Sequence, residues 1–144
     1  PCGEGYDVSP GHPSIRLWGD SEDALISKDA LRAEVLPFTS KSRFLEGPDI
    51  QFCDQPRSLG RVYFLGDGSS SEIIIEPLSS ADAFVEWVKH SFLLDIEERS
   101  MLASHFDQVA KLANLPIHFR LDYPRHFDVL EKVRNKIVTH GTGQ

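Results

Sequence analysis

Long apolar runs are missing from this chain. No stretch approaches the roughly 20 residues a membrane-spanning helix needs, and no segment reads as a signal peptide. Cysteine is scarce: only Cys2 and Cys53 are present, too few for a disulfide framework, which points to a reducing compartment. A single Cys2–Cys53 bridge is the alternative. Together these features predict a cytoplasmic protein. Basic residues are the minority, 15 Lys and Arg against 22 Asp and Glu, for a formal charge of -7. That balance argues against general affinity for nucleic acid or anionic membrane, while leaving room for a small local basic site. Several motifs are absent as well. There is no GxxxxGK[ST] phosphate loop, no HExxH or CxxC, and no GxSxG elbow. No two of the six histidines have a convincing metal-ligand spacing with a carboxylate partner, so no metal site is predicted.

What is present is an ordinary globular composition, 40% hydrophobic and 26% charged over 144 residues. Such a chain can bury a core without staples and favours one domain over 1–144. It begins PCGEGYDVSPGHP, a Gly- and Pro-rich stretch that reads as a turn between strands and suggests the later part of something longer. The first half is punctuated by Pro and Gly and predicts short strands at Tyr6–Val8 and Ser14–Trp18. A short acidic helix over Asp20–Ile26 follows, with Asp20 or Ser21 as its cap and Trp18 packed beneath the junction. Ala33–Phe38 reads as extended, because Pro37 keeps Leu36 out of the helical region. TSKSRFLEGPD, residues 39–49, reads as a polar loop. GRVYFL and EIIIE, joined by GDGSSS, read as an antiparallel hairpin.

The second half reads as helices and one strand. Ser79 or Ser80 caps a helix with Asp82 in its first turn and Phe84, Val85, Val88 and Phe92 at helical spacing. Asp95 is read as the next cap, with Glu97 and Glu98 in the first turn. Leu102, His105, Phe106, Val109, Leu112 and Ala113 form that helix's inner face, and Asn114 is its C-cap. PIHFRLDY alternates as a strand, with Ile117, Phe119 and Leu121 on one face. Pro124 suits the first position of a last helix whose inner line is Phe127, Leu130, Val133 and Ile137. The order predicts a mixed α/β fold, with strands and a hairpin followed by helices packed on the sheet.

Three groups of residues invite a chemical reading. His105, on an apolar helix face, reads as a hydrogen-bonded core or groove histidine before a catalytic one. His118 and Arg120 share the strand face opposite Ile117 and Phe119. They bind an anion if that face lines a cleft, and are ordinary surface residues if it meets water, which is the commoner case. Lys41 and Arg43 lie among the hydroxyls of Thr39, Ser40 and Ser42. A loop of this kind closes on a phosphate, with Lys as point charge and Arg as bidentate fork, or is simply solvated. The helix start GDSEDAL already carries Asp20, Glu22 and Asp23. It repels a phosphate and turns a corner instead.

Taken in order, PGHPSIRLWGDSEDAL, the SKSRF stretch, RVYFLGDGSSSEIIIEPLSSADAFVEWVKHSF and LPIHFRLDYPRHFDVLEKV resemble segments of the HPr kinase/phosphorylase-like family, over nearly the whole chain. The resemblance implies the C-terminal portion of a P-loop kinase fold like that of phosphoenolpyruvate carboxykinase. It implies ATP and Mg²⁺, and transfer of the γ-phosphoryl group to a Ser hydroxyl on a protein or peptide, such as a lasso-peptide precursor. It implies a possible homo-oligomer. The family's phosphate loop, catalytic acid and metal-binding Asp would lie before Pro1. Within this chain Arg43 and Lys41 then close over the phosphates or the acceptor as the catalytic pair, with Arg16, His118 and Arg120 as phosphate- or substrate-binding residues. The alternative is a non-catalytic binding or regulatory domain that keeps the fold without the nucleotide site.

Overall fold

The computed structural model describes residues 5–33, 39–48, 50–91 and 98–143. It is a mixed α/β protein with, among these residues, several small sheets and four α-helices. One domain was expected from the length; the chain forms two compact units, Pro1–Leu59 and Gly60–Gln144. No helix among the described residues is long and apolar enough to cross a membrane.

In the first unit, β1 (Asp7–Val8) pairs antiparallel with β5 (Arg57–Ser58). A three-stranded antiparallel sheet holds β2 (Ile15–Leu17), β3 (Leu31–Arg32) and β4 (Ser42–Glu46), with β4 in the middle. The loop read at 39–49 is therefore corrected: its centre is the central strand. SRFLE looks polar because only one face of the strand meets a core. Phe44 fills that core and is fully buried, with the Arg32 guanidinium 5.5 Å over its ring. Arg32 also pairs with Glu22 on α1 (Gly19–Leu25), which ties the helix to the Phe44 face. α1 starts one residue earlier than read. Trp18 holds its N-cap position without a side-chain cap, while Asp20 accepts from the Ser21 N–H at 2.7 Å. Of the extended segment expected at Ala33–Phe38, residues 34–38 lie outside the described residues.

In the second unit, β6 (Val62–Leu65), β7 (Ile74–Pro77) and β8 (His118–Asp122) form a sheet in the order β6-β8-β7. β6 runs parallel to β8, and β7 antiparallel to it. The hairpin expected from GDGSSS is therefore corrected, because β8 inserts between its two arms. The connection, residues 66–73, is longer than ordinary hairpin loops of about two to five residues, and Asp122 at the end of β8 captures it. The Asp122 carboxylate accepts from the Gly68 N–H at 2.9 Å and the Ser70 N–H at 3.3 Å, and Arg125 donates to the Gly66 carbonyl at 2.6 Å. A Cβ on Gly66 would come to 2.6 Å from Asp122, and Gly68 has φ +84° against Arg125, so glycine is needed at both places.

Helices cover both faces of this sheet. α2 (Ser80–His90) is capped as expected: Ser79 Oγ accepts from the Asp82 N–H at 3.1 Å and donates to its carboxylate at 2.6 Å. Its Glu86 and Trp87 meet the face bearing Phe64, His118 and Arg120. α3 (Arg99–Ala113) packs on α2, with the rings of Phe84 and Phe106 6.2 Å apart. Its N-cap is Glu98, which accepts from the Ser100 N–H at 3.0 Å, and Asn114 is its C-cap. Glu98 was expected inside the first turn; Phe92, Asp95 and Glu97 fall outside the described residues. A 3₁₀ turn (Phe127–Val129) leads into α4 (Leu130–Thr142), whose His140 meets Tyr63 and Phe119 on the opposite sheet face. α4 starts later than Pro124. Arg125 crosses to Gly66 and stacks 4.1 Å over Tyr123, which holds the chain out of a helix there.

Candidate anion-binding face

Antiparallel pairing puts Arg16 directly opposite Arg43. The Arg43 carbonyl accepts from the Ala33 N–H at 2.8 Å, so its backbone polar groups point to β3. Arg16 and Arg43 are thus a non-hydrogen-bonded pair, the kind in which Cα atoms approach to about 4.5 Å and side chains crowd most. Like charges in this position destabilise a sheet. Among the described residues no carboxylate relieves them: Arg16 has no ion pair, and Arg43 has only the His12 ring, its NH2 3.3 Å from Nε2. The Arg43 Nε is buried with no hydrogen-bond partner, a donor left unmatched at a cost of about 1–3 kcal/mol.

Strand alternation puts Lys41 and Trp18 on the same face. The Lys41 ammonium lies 4.8 Å over the Trp18 ring, which is 52% exposed and so does not pack beneath the junction as expected. His12 is held by Ser14 Oγ at 3.1 Å from Nδ1. The Arg43 guanidinium can only donate, so Nε2 accepts in that contact while Nδ1 faces the Ser14 hydroxyl. The hydroxyls expected to help do not converge. Thr39 Oγ1 accepts from the Lys41 backbone N–H at 3.2 Å, and Ser42, opposite Leu17, faces the other way. The face thus gathers Arg16 and Arg43 on paired strands, with Lys41 in the residue just before β4. Sequence reasoning missed His12 and Trp18: His12 is 31 residues from Arg43, with no local pattern to link them.

His118 and Arg120 belong to the second unit, where α2 covers them. His118 is 2% exposed. Its Nε2 accepts from the Trp87 indole at 2.9 Å, and its Nδ1 is 2.9 Å from the Leu115 carbonyl. Burial pushes its pKa down, opposed by the Leu115 contact, so the ring is a neutral, doubly satisfied core histidine. Arg120 donates to Glu86 at 3.0 Å, with Lys89 at 3.1 Å on the same oxygen. Those hydrogen bonds, Arg120 first, hold the Glu86 carboxyl below its ordinary value against the opposing effect of burial. The carboxylate already fills the place an anion would take. His105 Nε2 is buried without a hydrogen-bond partner, its ring 5.9 Å from Phe106.

Among the described residues no group of three or more His, Cys, Asp or Glu side chains comes together to hold a metal ion. Comparison of the chain with family models, with curated proteins and with solved structures returns no match.

Proposed function

We propose that the first unit binds a phosphoryl group on the open face of its sheet, with Arg43 and Arg16 as paired forks and Lys41 at the margin. The observation that carries this reading is the directly opposed, uncompensated Arg16–Arg43 pair with its orphaned Nε, in a chain whose net charge is -7. A dianion between the two guanidiniums turns a repulsive pair into two charge-assisted contacts and satisfies the buried donor.

The wider reading is a part of an ATP-dependent kinase with a phosphoenolpyruvate-carboxykinase-like fold, acting in the cytoplasm on a Ser hydroxyl of a protein or peptide. It rests on the resemblance to HPr-kinase-like proteins. In that reaction the γ-phosphoryl group leaves ATP for the Ser oxygen, the hydroxyl proton departs, and ADP and a phosphoserine remain. The cationic face suits the phosphate part of this chemistry. Among the described residues no group of three or more acidic, His or Cys side chains comes together, and the sequence holds no GxxxxGK[ST] loop, so no step is routed through a metal.

Thermal unfolding with inorganic phosphate, pyrophosphate and ATP, against matched chloride, tests the first reading. A ligand at about 100 times its Kd stabilises by about 2.7 kcal/mol, so a clear upward shift in Tm is expected, absent in Arg43→Ala. No shift with any of the three overturns it. For the kinase reading, phosphate transfer from ATP to a Ser-containing peptide is expected to fall strongly in Arg43→Ala with the fold intact; unchanged turnover removes Arg43 from the reaction.

A further inference from the structure

Beside the arginine pair the first unit holds a small hollow, and His12 belongs to both. Its Nε2 is 3.3 Å from the Arg43 guanidinium, and His12 lines the hollow together with Ser14, Ile26, Leu45, Ile50 and Phe52. The strand register makes the same connection independently. Arg16 stands opposite Arg43 and Ile15 opposite Phe44, so one further step brings Ser14 level with Leu45. Alternation puts Ser14 and Leu45 on the face of the two arginines. A rise of about 3.3 Å per residue sets them about 7 Å along the strands from that pair.

The lining is uncharged: among the described residues no Asp, Glu, Lys or Arg borders the hollow. Its polar side chains are His12, Ser14 and Gln51, and the first two face each other, Ser14 Oγ lying 3.1 Å from His12 Nδ1. The hollow measures about 240 Å³, below the roughly 300–1,000 Å³ of sites that enclose drug-sized ligands. A nucleoside, with its ribose hydroxyls and base edges, exceeds that space and leaves polar groups unmatched against the aliphatic wall. A single apolar ring fits. Phe52 is 48% exposed and offers ring surface for it to pack on.

We infer that the phosphoryl group held by Arg16 and Arg43 arrives as an aryl phosphomonoester, whose ring enters this hollow against Leu45, Ile50 and Phe52. The inference rests on the phosphoryl-binding reading above and adds the chemical class of its ligand. An ester oxygen and one ring cover the step from the two arginines to Ser14 and Leu45. The arginines take the charge, and burial of the ring separates this ligand from free phosphate and from phosphoserine. The same chemistry is presented by a small phenol ester and by a phosphotyrosine side chain.

The test is calorimetric titration of the full chain with phenyl phosphate and with methyl phosphate, which carries the same charge and no ring. Phenyl phosphate is expected to bind at least about tenfold more tightly. That advantage should shrink to about threefold or less in Phe52→Ala, where an exposed side chain is removed and the circular dichroism spectrum is expected to stay unchanged. Ile50→Ala serves as the second variant, with the same direction of change. A phosphotyrosyl tripeptide reads the source: binding tighter than that of phenyl phosphate assigns a protein side chain, weaker binding a small molecule, and either order supports the aryl class. Methyl and phenyl phosphate bound equally by the wild type, or an advantage that survives both variants, overturns this inference and leaves the anion face standing. Absence of binding by both esters overturns the anion face itself, and this inference with it.

Discussion

Two arginines occupy the central strands of two three-stranded sheets, Arg43 in β4 and Arg120 in β8. Arg120 meets the buried carboxylate of Glu86 at 3.0 Å, within a cluster that also includes Lys89 and His90. Arg43 stands opposite another arginine, Arg16, in the strand register. The first arrangement is closed: its charges answer one another, a helix covers it, and its role is to hold α2 to the sheet. The second is unanswered among the described residues: Arg43 stands opposite Arg16 and its buried Nε has no hydrogen-bond partner. That contrast separates a structural ion cluster from the proposed binding face better than the residue types do, since both contain Arg and His.

The comparison is sharpest under mutation. The largest effect is expected in the cores beneath the two sites. Phe44→Ala should destabilise the first unit by about 3–5 kcal/mol, and Leu121→Ala the second by about 2–5 kcal/mol, read by urea unfolding; a loss under 1 kcal/mol at either place would deny that these side chains are the packed centres of their sheets. Next comes Arg120→Ala. It strands the Glu86 carboxylate with less charge around it and should cost about 2 kcal/mol. Arg43→Ala, by contrast, should change stability by less than about 0.5 kcal/mol, because the variant loses a repulsion and an orphaned donor along with some packing. Equal losses in the two variants would erase the distinction.

Acid should act on the closed side first. His118 has a lowered folded-state pKa, so the unfolded chain binds its proton more readily. The associated stability is full above about pH 6.5 and is lost as pH falls through the lower folded value. Glu86, also lowered, adds a second loss only below about pH 4.5. A melting-temperature profile of the wild type and of His118→Gln checks this; the variant should lose the upper step alone. The smallest effect is expected from Arg16→Glu, which converts the like-charged pair into an opposite one and should stabilise the first unit by about 0.5 kcal/mol. Destabilisation instead would mean that the two side chains do not meet.

Much of this contrast was legible in part. Local chemistry read well: the Ser79–Asp82 cap depends on residues three apart, and the alternation that puts His118 and Arg120 on one face follows from strand geometry alone. Partners across the fold did not. Glu86 reaches Arg120 over 34 residues, so a face that read as water-facing is covered by a helix. SRFLE read as a loop because one buried Phe44 is all its inner face needs, and GDGSSS read as a hairpin turn because nothing nearby reveals that Asp122 will hold it. Lys41, Arg43 and Arg16 were singled out by residue type, but their common face depends on strand pairing that only the fold supplies.

The most direct test is calorimetric titration of pyrophosphate into the wild type, Arg16→Ala, Arg43→Ala and the double variant. The account predicts one saturable site per chain. Each single variant should lose at least about tenfold in affinity, and the double should lose less than the sum of the two in free energy, because the forks share one ligand. Pyrophosphate binding that is absent from the wild type, or that survives Arg43→Ala unchanged, would contradict it.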